Sequence, residues 1–192
     1  MAHLELAAHA IGAIPHRAQA EALSACQNGN GDGLRLQRQH ILKGFLHACY
    51  LSQKQALDAG NVQDATPWIQ YIGQMARWDA TTHEALVSLE DNAQAAQQKV
   101  QPAVLGWFTN QVKSEVEASL KNMKEGRGSQ AYVESVEAIL YLEPIEEDLG
   151  AKIGAEKLRE LKDTINQYKE AASKSDVAKA EPAAQRVASI LV

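Results

Sequence analysis

The residues of this 192-residue chain whose spacing most favours chemistry are two pairs of glutamates. In each pair, two residues separate the glutamates. Glu134 and Glu137 form the first pair, and Glu143 and Glu146 form the second. Residues three apart share one face of a helix, so the members of a pair can present their carboxylates together. Carboxylate oxygens are hard ligands that suit calcium, magnesium, manganese or ferric iron. The sequence therefore predicts reversible capture of a hard cation, with protons competing at low pH.

Residues 143–148 form the densest acidic segment of the chain. Massed carboxylates repel one another unless a cation or a basic side chain lies nearby. The candidate metal ligands are Glu134, Glu137, Glu143, Glu146, Glu147, Asp148 and His83. The alternative is a solvated acidic face, in which the last three acidic residues occupy the first turn of a helix and offset its dipole.

The first pair is predicted to lie on an amphipathic helix. Ser129 is a candidate N-cap, because its hydroxyl can accept a hydrogen bond from a free backbone N–H. The predicted core face of this helix consists of Tyr132, Val133, Val136, Ile139 and Leu140. That places Glu134 and Glu137 on the opposite face. Pro144 should end or kink the helix, since proline has no N–H and disfavours helical geometry in the residue before it.

The composition indicates an all-α fold, an antiparallel bundle of about five to seven helices built from helical hairpins. Hydrophobic residues make up 45% of the chain and aromatic residues only 5%, while alanine and glutamine are abundant, which favours helix over strand. We expect a single domain over residues 1–192, with a subdivision into residues 1–101 and 102–192 as the alternative.

Apolar spacing places further helices along the chain. Leu34 to about Ala59 is one, with a predicted buried stripe of Ile41, Phe45, Ala48, Ser52 and Ala56. Thr66 and Pro67 are predicted to be the N-cap and first position of the next helix, which extends towards Val100. Another helix covers residues 103 to about 125, and one from Lys152 to about Ala172 carries a seam spaced three, four, three, four.

The segment from Ala131 to Glu146 resembles part of the extracytoplasmic helical region of prokaryotic high-affinity iron permeases. The matching residues read Ala-Tyr, eight other residues, and then Tyr-Leu-Glu-Pro-Ile-Glu. Glu-x-x-Glu pairs are associated with iron in that family, so the resemblance implies iron as the cation and cell-envelope iron uptake as the setting. It covers about one helix and its exit turn. The chain departs from the family's Arg-Glu-x-x-Glu motif, because Val133 stands where the arginine would precede Glu134.

Charge and hydropathy exclude some classes and leave the compartment open. The net charge of −5 argues against nucleic-acid binding, and no apolar run approaches the ~20 residues of a transmembrane helix. The start, MAHLELAAHAIG, does not read as a signal peptide. We expect an extracytoplasmic location if a signal was removed and a cytoplasmic one otherwise. Cys26 and Cys49 allow either a disulfide or two buried thiols.

Two other functions compete with the metal-handling domain. A structural or adaptor bundle would bind a protein partner through an exposed apolar face, most plausibly on the hairpin from Leu158 to Leu191. A haem or other cofactor bundle would use His40 or His47, which lie seven apart on one helix face. We expect no enzyme, because no nucleophile elbow, P-loop or dinucleotide-binding turn is present.

Overall fold

The computed structural model describes residues 31–79 and 93–191, and these residues are all-α, as predicted. A short 3-10 turn, Glu143–Ile145, accompanies seven α-helices in these ranges. The helices are α1 (Gly31–Asp58), α2 (Val62–Ala76), α3 (Ala93–Lys124), α4 (Gly128–Leu142), α5 (Glu146–Ile153), α6 (Ala155–Ser173) and α7 (Val177–Ile190).

The chain divides into two compact units. The described part of unit 1 is residues 44–79 and 93–107, and that of unit 2 is residues 31–43 and 108–191. The boundaries fall between Lys43 and Gly44 in α1 and between Trp107 and Phe108 in α3. Both predicted glutamate pairs belong to unit 2.

In unit 1, α2 begins and ends at residues other than those predicted. Asn61 is the N-cap, and its side-chain oxygen accepts a hydrogen bond from the backbone N–H of Asp64 at 3.1 Å. Thr66 and Pro67 lie inside the helix, and the Thr66 hydroxyl donates to the Val62 carbonyl instead of capping an N–H. The predicted extension to Val100 is also wrong, because Arg77 adopts a left-handed conformation (φ 52°) that ends the helix at Ala76.

The buried face of α1 differs from the predicted stripe. Ile41 is 60% exposed, and the buried side chains are Leu36, His40, Lys43, Leu46, Cys49, Tyr50, Gln53 and Leu57, with Ala48 beside them. Seven of these recur at intervals of three and four, which is helical spacing. Three of the seven are polar, so a search for apolar residues alone selected a neighbouring face. Cys49 is a free, buried thiol, and Cys26 lies outside the described residues.

Unit 2 is built around α4 and α6. The seam predicted on α6 is buried at Leu161, Ile165, Tyr168 and Ala172. On α7, which packs against α6, the buried apolar residues are Ala180, Ala184, Val187 and Ile190. The Tyr168 hydroxyl donates to the Val116 carbonyl of α3 at 3.0 Å. The apolar face of this C-terminal hairpin is therefore buried within unit 2, whereas the adaptor hypothesis expected it to be exposed.

The ends of α4 show one confirmed and one incorrect prediction. Pro144 follows the last residue of α4 and lies in the 3-10 turn, so the predicted helix stop is confirmed. Ser129 is not the N-cap, because the helix already begins at Gly128 and Arg127 occupies the cap position without a side-chain hydrogen bond. No helix in residues 31–79 or 93–191 is both long and apolar enough to cross a membrane.

Candidate functional site

Glu134 and Glu137 lie inside unit 2 and not on a solvated face. They are 7% and 4% exposed. The predicted core face of α4 does pack inward, where Val133 and Val136 form a cluster with Leu36 of α1. The opposite face is also covered, by polar side chains of α1 and α3. The alternative of a solvated acidic face is wrong for Glu134 and Glu137, because α4 is enclosed on both sides, with every residue from 133 to 138 buried.

Glu134 is held by neutral amides. Its Oε2 accepts a hydrogen bond from Nδ2 of Asn122 on α3 at 2.5 Å, and its Oε1 accepts one from Nε2 of Gln130 at 3.2 Å. Asn122 is oriented in turn by Arg127, whose Nε donates to the Asn122 Oδ1 at 2.6 Å. Both oxygens of this buried carboxylate therefore accept hydrogen bonds, which is the normal requirement for burial of a polar group.

Glu137 faces a buried ammonium group on α1. Nζ of Lys43 lies 3.5 Å from Oε2 of Glu137, donates to the Tyr141 hydroxyl at 2.5 Å, and lies 3.9 Å from the centroid of the Tyr141 ring. Burial lowers the pKa of Lys43 and raises the pKa of Glu137, while the attraction between the two charges opposes both shifts. Lys43 thus makes both an ion pair with Glu137 and a cation–π contact with Tyr141 in an interior position.

A third carboxylate, Glu115 on α3, belongs to the same cluster. Burial, followed by the charges of Glu137 and Glu134, raises the pKa of Glu115 to about 7, although Lys43 and Arg35 oppose the shift. A carboxyl group with that pKa exchanges its proton near neutral pH. We call Glu115, Glu134 and Glu137 the inner cluster.

Sequence reasoning missed Glu115 and Lys43. A signal for Glu115 exists in the polar stripe of Glu115, Ser119 and Asn122, which are spaced four and three apart along α3. Ser119 and Asn122 are buried, and the Ser119 hydroxyl donates to the Ala131 carbonyl of α4 at 2.6 Å. The stripe therefore faces α4. Lys43 has a weaker signal, since it only continues the three-and-four spacing of the buried face of α1.

The second predicted pair occupies a different environment. Glu143 is exposed on the 3-10 turn, while Glu146 is paired with Lys162 of α6, whose Nζ lies 2.6 Å from the Glu146 Oε2. Although the residue is exposed, partial desolvation of its carboxyl group and the charge of Glu146 raise the pKa of Glu143, and His40 and Lys162 oppose that shift. We call residues 143 and 146–148 the outer group.

The last three members of the outer group begin a helix. Glu146, Glu147 and Asp148 form the first turn of α5, where acidic side chains interact favourably with the helix dipole. This is the position that the alternative interpretation expected. Among residues 31–79 and 93–191, no group of three or more histidine, cysteine, aspartate or glutamate side chains is arranged to hold a metal ion. His83 lies outside those ranges.

The two histidines of the cofactor hypothesis are placed on α1. His40 is buried, and its Nδ1 pairs with the Leu36 carbonyl one turn earlier at 2.9 Å. Burial lowers the pKa of His47, which favours the neutral imidazole at neutral pH. The involvement of either histidine in cofactor binding stays a prediction.

The chain matches one protein family over nearly its whole length. A family profile described as the iron permease FTR1 N-terminal domain covers residues 4–189. Searches of curated proteins and of solved structures return no match. The family match extends the resemblance seen in residues 131–146 to both units.

Proposed function

The chain belongs to the iron permease FTR1 N-terminal domain family, and from this premise we propose that it is a non-catalytic domain that captures iron or another hard cation in cell-envelope iron uptake. The observation that carries the proposal is the inner cluster. Three carboxylates from α3 and α4 lie close enough to influence one another's charge, and Lys43 is the cation in contact with Glu137.

The charge balance of the inner cluster favours uptake of a cation. Burial, together with repulsion from Glu137 and Glu134, raises the pKa of Glu115 to about 7, so the cluster retains a proton where an isolated carboxyl group would have lost it. A metal ion bound by the same oxygens would relieve this repulsion and displace the proton. Carboxylates are the donors that ferric iron, manganese and calcium prefer, so Glu134 and Glu137 are the proposed ligands, joined by Glu115.

We assign the outer group a supporting role. Glu143 is exposed and lies beside Glu146, and Glu147 and Asp148 follow in the same segment. Clustered negative charge raises the local concentration of cations and speeds their association. These four side chains would therefore meet the cation first, and His83 is retained as a further predicted ligand.

Elemental analysis of the purified protein, followed by calorimetric titration with ferric, ferrous, manganese and calcium ions, tests the proposal. The inner variant Glu134→Gln/Glu137→Gln should lose tight stoichiometric binding, while Glu143→Gln/Glu146→Gln should weaken it by about tenfold or less. A matched control is Glu170→Gln/Glu181→Gln, which removes two charges from the surface of α6 and α7, where both glutamates pair with lysines.

Circular dichroism spectra and thermal unfolding curves of all three variants establish that each remains folded. The proposal fails if the wild-type protein binds none of the four ions stoichiometrically. It also fails if the folded inner variant binds the ion as tightly as the control variant does, because the captured cation would then lie elsewhere.

A further inference from the structure

We infer that the protein self-associates through the exposed face of α2, which pairs in antiparallel orientation with the same face of a second copy. This face belongs to unit 1 and consists of Gln63, Asp64, Pro67, Gln70, Tyr71, Gln74 and Met75. We call it the α2 face. The inference is independent of the proposed function, because the inner cluster and the outer group both belong to unit 2.

The α2 face carries a single charged residue, Asp64, although all of its residues are exposed. Solvated helix faces are normally rich in charged side chains. The exposed residues of α6, for comparison, include Glu156, Lys157, Arg159, Asp163 and Glu170. On α2 the exposed positions carry amides and large apolar groups, of which Tyr71 is 47% exposed and Met75 is 41% exposed. Tyrosine and methionine are enriched, and charged residues depleted, in the cores of protein interfaces.

The residues of the α2 face form two rows along the helix. One row, spaced three, four and four apart, consists of Asp64, Pro67, Tyr71 and Met75. The second row, spaced seven and four apart, consists of Gln63, Gln70 and Gln74. The first row offers apolar contact area, and the amides of the second row can both donate and accept hydrogen bonds across an interface.

Tyr71 is the central anchor of this face and is held in place by its own unit. Its ring centroid lies 5.7 Å from that of Phe45 on α1, in an edge-to-face arrangement, and 6.4 Å from that of Trp68. A side chain fixed by such contacts loses little conformational freedom on binding. Tyr71 is therefore preorganised to present its exposed part to another surface.

The charges at the two ends of α2 favour a second copy as the occupant. Asp64 lies in the first turn of the helix, and Arg77, which is exposed, is its C-cap. When two copies of α2 lie antiparallel, each Asp64 is level with Arg77 of the other copy. A parallel arrangement would instead place identical charges level with each other, and like charges repel. The charge pattern is therefore self-complementary, as an interface with twofold symmetry requires.

The apolar residues share the same centre of symmetry. Tyr71 lies midway between Pro67 and Met75 in the sequence, and within one position of the midpoint between Asp64 and Arg77. A twofold axis at this point brings the two Tyr71 rings together, and aromatic pairs add to the energy of apolar burial. The chain has a net charge of −5, so two copies approach most easily through a surface that carries little charge.

A pair of 15-residue helices forms a small interface. Interfaces that bury less than about 1,200 Å² in total are typical of weak, reversible complexes. We therefore expect a monomer–dimer equilibrium with a dissociation constant of about 1–100 µM. Sedimentation equilibrium of the full chain, over a concentration series that spans this range, measures the constant.

The first test reverses the charge at each end of α2. Arg77→Asp places two acidic groups level with each other in a homodimer, and Asp64→Arg places two arginines there, so each variant alone should raise the dissociation constant about tenfold. An equimolar mixture of the two variants restores opposite charges at both contacts, and its dissociation constant should return to within about threefold of wild type. Arg159→Asp is the control, since it makes the same charge change on the exposed surface of α6 and should have no effect.

The second test uses cross-linking and leaves the charges of α2 unchanged. Gln70→Cys introduces a thiol one position from Tyr71 in a chain that also carries Cys26→Ser, while Cys49 is buried. A short bis-maleimide reagent should join two copies through position 70. Gln55→Cys in the same background, exposed on α1 of unit 1, is the control and should give several-fold less covalent dimer. Circular dichroism spectra establish that all variants remain folded.

The outcomes decide what covers the α2 face. If wild type stays monomeric throughout the concentration series, the inference is overturned, and a different protein or a segment of this chain outside the described residues would be the occupant. It is also overturned if Arg77→Asp and Arg159→Asp change the dissociation constant equally, because the dimer contact then lies on another surface. Failure of the mixture to recover affinity overturns the antiparallel pairing. Weakening by both charge variants, recovery in the mixture and selective cross-linking at position 70 would support it.

Discussion

Nζ of Lys43 and Oε2 of Glu137 lie 3.5 Å apart with both side chains about 94% removed from solvent, since each retains only 6% exposure. The two residues come from α1 and α4, separated by 94 positions in the sequence. This contact joins the segment of α1 in unit 2 to the helix that carries the first glutamate pair. It places a positive charge against the carboxylate of Glu137 in the interior of unit 2.

Removing one partner of this pair should destabilise the protein more than removing both. Glu137→Leu leaves the Lys43 ammonium buried without its carboxylate, and a loss of about 3 kcal/mol in the free energy of unfolding is expected. The double variant Glu137→Leu/Lys43→Met should recover most of that loss. Urea unfolding at pH 7 measures both. Equal destabilisation of the single and double variants would show that the ion pair itself contributes most of the stability.

The stability of the protein should fall as the pH rises from about 4.5 to about 7. The pKa of Glu115 is raised from its ordinary value of 4.5 to about 7, so within this window the folded state keeps a proton that the unfolded state has lost. Stability from this group is therefore fully present below pH 4.5 and is lost as pH rises through 7. Glu137 and Glu143, whose pKa values are also raised, contribute in the same direction.

Glu115→Gln isolates the contribution of one residue to this pH dependence. Between pH 4.5 and pH 8, the unfolding free energy of the variant should fall by roughly 2 kcal/mol less than that of wild type. Chemical unfolding at four or more pH values measures the slope. Glu117→Gln, on the exposed side of α3, is the control and should leave the slope unchanged. A wild-type slope retained in full by Glu115→Gln would contradict the assignment.

The buried amides of unit 1 should be replaceable by apolar residues. Nε2 of Gln53, a fully buried side chain, donates to Oε1 of Gln101 at 3.4 Å. Among the described residues, neither Oε1 of Gln53 nor Nε2 of Gln101 has a hydrogen-bond partner. Gln53→Met/Gln101→Leu removes both buried polar groups, so unfolding free energy should rise by about 1 kcal/mol.

The single variants of this amide pair provide the comparison. Gln53→Met alone leaves the Gln101 amide with no partner for either polar atom, so it should be less stable than the double variant by about 1–3 kcal/mol. Urea denaturation of the two single variants and the double variant gives the coupling energy. A coupling energy near zero would mean that the two amides act independently, contrary to the geometry.

The N-cap of α2 offers a direct test of the structure against the sequence pattern. Asn61→Ala removes the side chain that accepts from the Asp64 N–H and should reduce the free energy of unfolding by about 1 kcal/mol. Thr66→Ala removes only a hydroxyl that donates to a carbonyl inside the helix, so it should have a smaller effect. Thermal unfolding of the two variants compares them. A larger loss for Thr66→Ala would favour the cap predicted from sequence.

Several elements could be predicted because their signals are local. The chemistry of Pro144 ends α4 wherever the helix packs, and the apolar spacing of Leu161, Ile165 and Tyr168 identifies the buried face of α6. The start of α2 was misplaced because Thr66-Pro67 and Asn61 both offer valid starts. Local chemistry alone does not decide between two such starts. The helix begins at the earlier one, at Val62, because that adds a packed turn.

The sequence by itself determined the helical class, the helix stop at Pro144 and the acidic character of residues 134–148, because periodicity, proline geometry and charge are properties of neighbouring residues. Tertiary structure alone decided which charges are buried. Glu134 and Glu137 have the spacing of a surface pair, and only Lys43, 94 positions away from Glu137, and the polar stripe of α3 make their burial acceptable. A buried polar residue is stabilised by partners distant in the chain, and periodicity within one helix carries no information about them.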